Sequence, residues 1–344
     1  MSFARGFLPR QTPRQLMQAL VDNVVQLEKN PSELLKTLAK RRIAKQLQAL
    51  RDVIYKSTNA ESHGDMIMSQ LCQDLYNTDL LLRLIQFLMY FGVEGHKAMV
   101  MVFNNVLQRR LGSREPTVEY VSTKPEILFA LLNGLSNPTI AFPCGEMLRK
   151  CIEYEELNKI ILYSPKLYDI FAQTKAPTYA VRAEVLCVVN RLLTTHQPLM
   201  ANFFKQKYDE FFDHYYELLT SDNYVTRRMS IETLGTILLQ PRNKSVMKQY
   251  VSCSTNLKVV MNLLLNNKSR QYMCDLFHVF KLFVVNPKKP KEVLKILVLN
   301  QQRLAALFSN LPDTHEIEDQ AIIEEMRYLA NIIKKLKMET TGAE

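Results

Sequence analysis

The sequence predicts an all-α chain, an armadillo/HEAT-like helical-repeat solenoid, and three observations carry that expectation. Glycine occurs only 9 times in 344 residues, well under the usual share of about 7%, while Leu, Lys, Gln, Met and Ala recur in runs that favour helix. Polar or proline punctuation returns at Asn137-Pro138, Ala176-Pro177, Asp222-Asn223 and Asn267-Lys268, about 40 to 46 residues apart, the period of HEAT and armadillo units. Each of these points closes one apolar segment and opens another, so the chain reads as stacked helix pairs.

Taken in order, residues 1–14 are expected to be disordered and 15–337 to form one helical-repeat domain, its first part, 15–110, a less regular cap. Regular repeats occupy 111–300. Their first helices are expected at Ile127–Leu135, Leu167–Phe171, Phe211–Leu219 and Leu257–Leu265. Longer inner helices follow near Pro143–Glu153, Val181–Leu193, Val225–Leu239 and Gln271–Val285, ending around Pro198, Pro241 and Pro287. In one of them Ile231, Leu234 and Leu238 fall at i, i+3 and i+7, Asn223 stands where an N-cap belongs, and Pro241 stops the helix. One such pair cannot bury its own apolar stripe, so each unit needs neighbours, and the end units must differ. Capping helices are expected over 301–337, where Glu316 to Lys337 passes from acidic to basic as a helix dipole prefers. Residues 338–344 are expected to be disordered.

The net charge of +10 and isoelectric point near 9.2 favour acidic partners. The basic residues are dispersed, in Lys40, Arg41, Arg42 and Lys45, Arg109 and Arg110, Arg227 and Arg228, and Lys288, Lys289 and Lys291, and read first as solvated helix faces. The six cysteines form no CxxC pair and sit mostly in apolar stretches, so they read as buried thiols of a reducing compartment. The N-terminus lacks the apolar core of a signal peptide, which makes the sequons at Asn243 and Asn267 inert. No uncharged apolar run reaches the roughly 18 residues a membrane span needs. A soluble, cytoplasmic protein is expected.

Catalytic signatures are missing from the sequence: no GxGxxG, Walker loop, GxSxG or HExxH occurs. Cys274 and His278, one helical turn apart, could hold two positions of a metal site, but no further ligands are evident and they read as packed helix residues. Asp209, Glu210 and Asp213 could supply acid and base; on a helix with no pocket signature nearby they read as solvent-facing. The aromatic run Phe203, Phe204, Tyr208, Phe211, Phe212, Tyr215 and Tyr216 has helical spacing and reads as core ahead of a base-stacking surface. No catalytic residue, cofactor, metal or small-molecule substrate is expected.

The strings MVFNNVLQRRLGSREPTVEY at 101–120, CGEMLRKCIEYEELNKIIL at 144–162, SDNYVTRRMSIETLGTILL at 221–239, NLKVVMNLLLNNKSR at 256–270 and FHVFKLFVVNPKKP at 277–290 resemble the calcium-binding protein 39 (Mo-twenty-five, hymA-like) family over about residues 15 to 335. Despite that family name, the chain has no D-x-[DN]-x-[DN]-G loop with a terminal glutamate, so no calcium is expected. The resemblance implies a right-handed, curved helical-repeat scaffold whose concave face binds a STRAD-type pseudokinase or Ste-twenty/germinal-centre-like kinases and stabilises their active conformation. It also implies roles in signalling and cell polarity.

Residue by residue, the resemblance places the kinase contacts on Tyr179, Tyr224 and Arg228, the last two one helical turn apart. It places the pocket for a partner's aromatic and acidic C-terminal tail on Lys258 and Met261, at i and i+3, a cation beside a deformable apolar floor. Three positions depart from the family pattern: Pro241 and Lys244 replace an arginine and an aromatic, and Leu299 replaces a pocket-rim lysine. They bear on partner choice. A basic helical-repeat RNA-binding protein is the alternative, although the repeats lack recurring base-reading side chains.

Overall fold

Short polar side chains start helices where the chain punctuates itself, and Thr12 is the first. Its hydroxyl accepts from the Gln15 amide at 3.3 Å while Gln15 Oε1 accepts from the Thr12 amide at 2.9 Å, a capping box with Pro13 in the first turn. Helical structure therefore begins at Pro13, inside the segment expected to be disordered. The computed structural model describes residues 12–29, 32–58, 61–176, 178–265, 269–314 and 317–337. The expectations for residues 1–11 and 338–344, and the punctuation at Pro177, Asn267 and Lys268, lie outside them.

Among the described residues every regular element is helical, save an isolated bridge between Leu111 and Arg114. The helices gather into two compact units, Met1–Val188 and Val189–Glu344. The first holds α1 (Pro13–Glu28), α2 (Glu33–Thr58), α3 (Glu61–Asn77), α4 (Leu80–Gln86), α5 (Gly92–Leu107), α6 (Pro116–Thr123), α7 (Glu126–Gly134), α8 (Ala141–Ile152), α9 (Glu155–Leu162), α10 (Lys166–Gln173) and most of α11 (Tyr179–Thr194). The second holds α12 (Gln197–Leu219), α13 (Tyr224–Leu239), α14 (Lys244–Ser252), α15 (Ser254–Leu265), α16 (Arg270–Val285), α17 (Lys291–Leu299), α18 (Gln301–Thr314) and α19 (Gln320–Lys335).

The predicted pairs are all present, as α7 with α8, α10 with α11, the end of α12 with α13, and α15 with α16. A short helix also precedes each pair, and this third member was not visible in the periodicity. It is α6, α9, the front of α12, and α14, with α17 repeating the pattern ahead of α18 and α19. Lys207, with φ −125° and ψ 25°, breaks α12 into its two parts. Three helices per unit is the armadillo form of the repeat.

The inner helices stack on one another within each unit: α2 on α5 and α5 on α8 in the first, α13 on α16 and α16 on α19 in the second. Ile231, Leu234 and Leu238 are buried as their spacing predicts. Pro198 sits in the first turn of α12 and Pro241 opens a 3-10 turn directly after α13, positions that need no amide donor. Asn243 of the first sequon is buried and its side-chain amide donates to Ile237 O at 2.9 Å, a structural role for the residue. Cys72, Cys144, Cys151 and Cys274 are buried, but Cys187 and Cys253 are exposed, contrary to expectation. Cys253 caps the end of α14 with extended backbone, where an apolar neighbourhood in sequence no longer dictates which way a side chain faces.

Asn223 caps α13, its Oδ1 accepting from the amides of Val225 at 3.0 Å and Thr226 at 3.2 Å. Asn223→Ala should lower stability by about 1 kcal/mol and Asn223→Asp by much less, read as shifts in denaturation midpoint. Equal losses in the two variants would show that the cap contributes nothing.

Candidate functional site

Tyr224 opens α13, and its hydroxyl donates to Ser269 Oγ at 2.8 Å ahead of α16. Its ring meets that of Tyr272 edge-on, centroids 5.9 Å apart at 73°. The ring is thus held from two directions yet remains 39% exposed. One turn on, Arg228 is half-buried; its Nε is shut off from solvent without a hydrogen bond. No described carboxylate lies within ion-pair distance of it. The family resemblance named both residues, but not the α16 side that borders them: Ser269, Tyr272 and Asp275 lie more than 40 residues away in sequence, and only the stacking of inner helices brings them near.

Asp275 on α16 faces Glu232 and Arg228 of α13, with Gln271 one turn before it. Burial, then the Glu232 charge, pushes its carboxyl up to about 6, against the opposing pull of Arg228. A carboxyl raised on folding contributes most favourably below its ordinary pKa, and that contribution is lost as pH rises through about 6. Asp275→Asn should therefore match the wild type near pH 4 and exceed it by about 1 kcal/mol above pH 6.5, the half-exposed site tempering the effect. Denaturant midpoints at the two pH values test this; a gap that does not change with pH would refute it.

Lys258 and Met261 lie one turn apart on α15, Lys258 exposed and Met261 only 7% exposed. Leu299, the departure at the expected pocket rim, ends α17, which packs on α15, and is 75% exposed. Pro241 opens the 3-10 turn between α13 and α14, and Lys244 is the first residue of α14. Tyr179 opens α11 in the first unit with its side chain 64% exposed. The structure thus brings Tyr224 together with Arg228, and Lys258 with Met261.

Of the other candidates, Cys274 is buried and His278 half-buried on α16. Among the described residues no three His, Cys, Asp or Glu side chains cluster as metal ligands. The aromatic run is largely core, with Phe203, Phe204, Phe211 and Tyr215 almost fully buried. Glu210 is exposed and pairs with Lys207 at 2.8 Å. Asp209 and Asp213 are exposed as expected, but they line a cleft that the sequence did not reveal.

The model of the Mo25-like family matches residues 3–337. The chain is 39% identical over 325 residues to the human protein named calcium-binding protein 39-like, covering 94% of this chain and 95% of that one. It is 36% identical over 330 residues to MO25-like protein 2 of Caenorhabditis elegans, covering 95% and 97%. To the Mo25-like protein of Schizosaccharomyces pombe it is 33% identical over 336 residues, covering 98% and 100%.

Proposed function

This chain belongs to the Mo25-like family, and from that premise we propose that it is a non-catalytic scaffold that binds a protein kinase or STRAD-like pseudokinase. Tyr179, Tyr224 and Arg228 would contact the kinase domain, and Lys258 and Met261 would receive the partner's C-terminal tail. The observation that carries the reading is the Tyr224–Arg228 face. An aromatic ring fixed by Ser269 and Tyr272 stands beside an arginine with an unmet donor. Tyrosine and arginine of this kind dominate binding at protein interfaces, because a pre-ordered ring gives up little entropy and a guanidinium offers several donors in a fixed fork.

Such a scaffold needs no chemistry of its own. If its surface contacts the closed, active arrangement of the kinase better than the open one, binding shifts the population by the difference in affinity. A bias from 1:99 to 99:1 takes about 5.5 kcal/mol, within reach of a few well-buried contacts.

Affinity capture from cytoplasmic lysate, with kinases identified by mass spectrometry, tests the proposal. Lys258 is exposed and Met261 buried, so Arg228→Ala with Lys258→Glu disturbs the core less than a change at Met261, and capture is run below the melting range of both chains. Kinases held by the wild type and lost from the variant support both the function and the residues. Kinase recovery unaffected by the variant would keep the scaffold and discard the contact assignments. Recovery of nuclease-sensitive RNA with no kinase would reject the scaffold reading.

A further inference from the structure

Where α12, α14 and α15 meet, the surface opens into a cleft of about 510 Å³. Its α12 wall carries two parallel stripes. Tyr208, Phe212 and Tyr216 recur at i, i+4 and i+8, and Asp209 and Asp213 run alongside at i and i+4. The Tyr208 and Phe212 rings lie 4.6 Å apart, and Phe212 is backed by Tyr250 at 5.2 Å, so this part of the wall is pre-formed. Tyr216 is 43% exposed. The Tyr208 hydroxyl is shut off from solvent beside Asn256 and makes no hydrogen bond of normal geometry.

The charges are the informative part. In a chain carrying +10, Asp209 and Asp213 have no described Lys, Arg or His within ion-pair distance; the Lys207–Glu210 pair on the same helix leaves them out. Two carboxylates one turn apart, beside π faces, form a site for a cation. A guanidinium suits it better than an ammonium, because it is planar, sheds water more readily, stacks on aromatic faces and has donors enough for both carboxylates. Anionic ligands are repelled.

We propose that this cleft binds an arginine side chain presented by an extended segment of a partner protein, the guanidinium stacked on the Tyr208–Phe212–Tyr216 wall and paired with Asp209 and Asp213. It is a second site, of opposite charge preference to the Arg228 face, and does not rest on the kinase reading.

Cys253 gives the test its readout, since its exposed thiol lines the cleft, while Cys187, the other exposed thiol among the described cysteines, lies on α11 and serves as reference. Alkylation rates of both are followed by mass spectrometry on the intact folded chain, with and without an acetylated, amidated Gly-Ser-Arg-Ser-Gly peptide. The arginine peptide should slow Cys253 relative to Cys187 about threefold at about 10 mM, the protection a site with a Kd of about 5 mM gives. The citrulline analogue, neutral but of the same shape, should leave the ratio unchanged, and the lysine analogue should protect less. Asp209→Asn with Asp213→Asn, both at exposed positions, should abolish the protection. The proposal is overturned by absence of protection, by equal protection from the citrulline or lysine peptide, or by protection that survives in the double variant.

Discussion

Gly145→Ala should destabilise the protein by about 2–3 kcal/mol, although in an ordinary helix interior the same change stabilises by about 1 kcal/mol. The reversal comes from Glu184. Its side chain is 7% exposed, reaches across from α11 to the face of α8 at Gly145, and forms an ion pair there with Arg149. A Cβ on Gly145 would overlap the carboxylate and stand 2.7 Å from Glu184 Cδ and 2.8 Å from its Cγ. Because Cγ is also too close, a small rotation of the carboxylate cannot relieve the overlap. Glu184 must leave its rotamer, and Arg149 with it, so a buried charge loses its partner. Chemical denaturation of four chains gives the test: wild type, Gly145→Ala, Glu184→Ala and the double variant. In the Glu184→Ala background Gly145→Ala should be neutral or stabilising. If it costs the same in both backgrounds, the Glu184 contact is not the cause.

This pair also marks where sequence reading stops. Gly145 and Glu184 lie on successive inner helices, and nothing in either neighbourhood announces that one fills the space the other leaves. The elements carried by local chemistry were legible: Asn223 caps α13 and Pro241 stops it because both act through their own backbone, and the stripe of Ile231, Leu234 and Leu238 is a property of one helix. Features that need two helices were not. Nor was the short helix that precedes each pair, and the kink at Lys207 has neither proline nor glycine to signal it. Tyr224 and Arg228 were named by the family resemblance and not by their local spacing, whereas Ser269, Tyr272 and Asp275, which border them, come from α16 and required the stack. The cleft beside Asp209 and Asp213 was missed for the same reason: α12 supplies the charges, and α14 and α15 make them a cavity.

Phe211→Ala should cost about 4 kcal/mol, since a fully buried ring is lost from a cluster of rings. Phe212→Ala, half-buried one residue along, should cost less than half as much. Phe211 lies edge-on to Phe204 with centroids 5.0 Å apart and to Phe203 at 5.9 Å, and stacks with Tyr215 at 5.2 Å. In a straight helix, residues seven apart are separated by about 10 Å along the axis, so the Phe204–Phe211 contact depends on the break at Lys207 that folds the two parts of α12 toward each other. The kink and the cluster are therefore one feature: the rings repay the backbone bonds the kink gives up, and the kink lets the rings meet. Phe204→Ala and Phe211→Ala should accordingly be far from additive, the second costing about half as much once the first is in place. Strict additivity in denaturation would mean that the kink persists without the rings. The same coupling bears on the cleft, because Tyr208, Asp209, Phe212 and Asp213 follow the break directly and keep their direction only while Phe211 anchors the helix beneath them. Loss of Cys253 protection in Phe211→Ala, at a temperature where the chain is still folded, is the expected result.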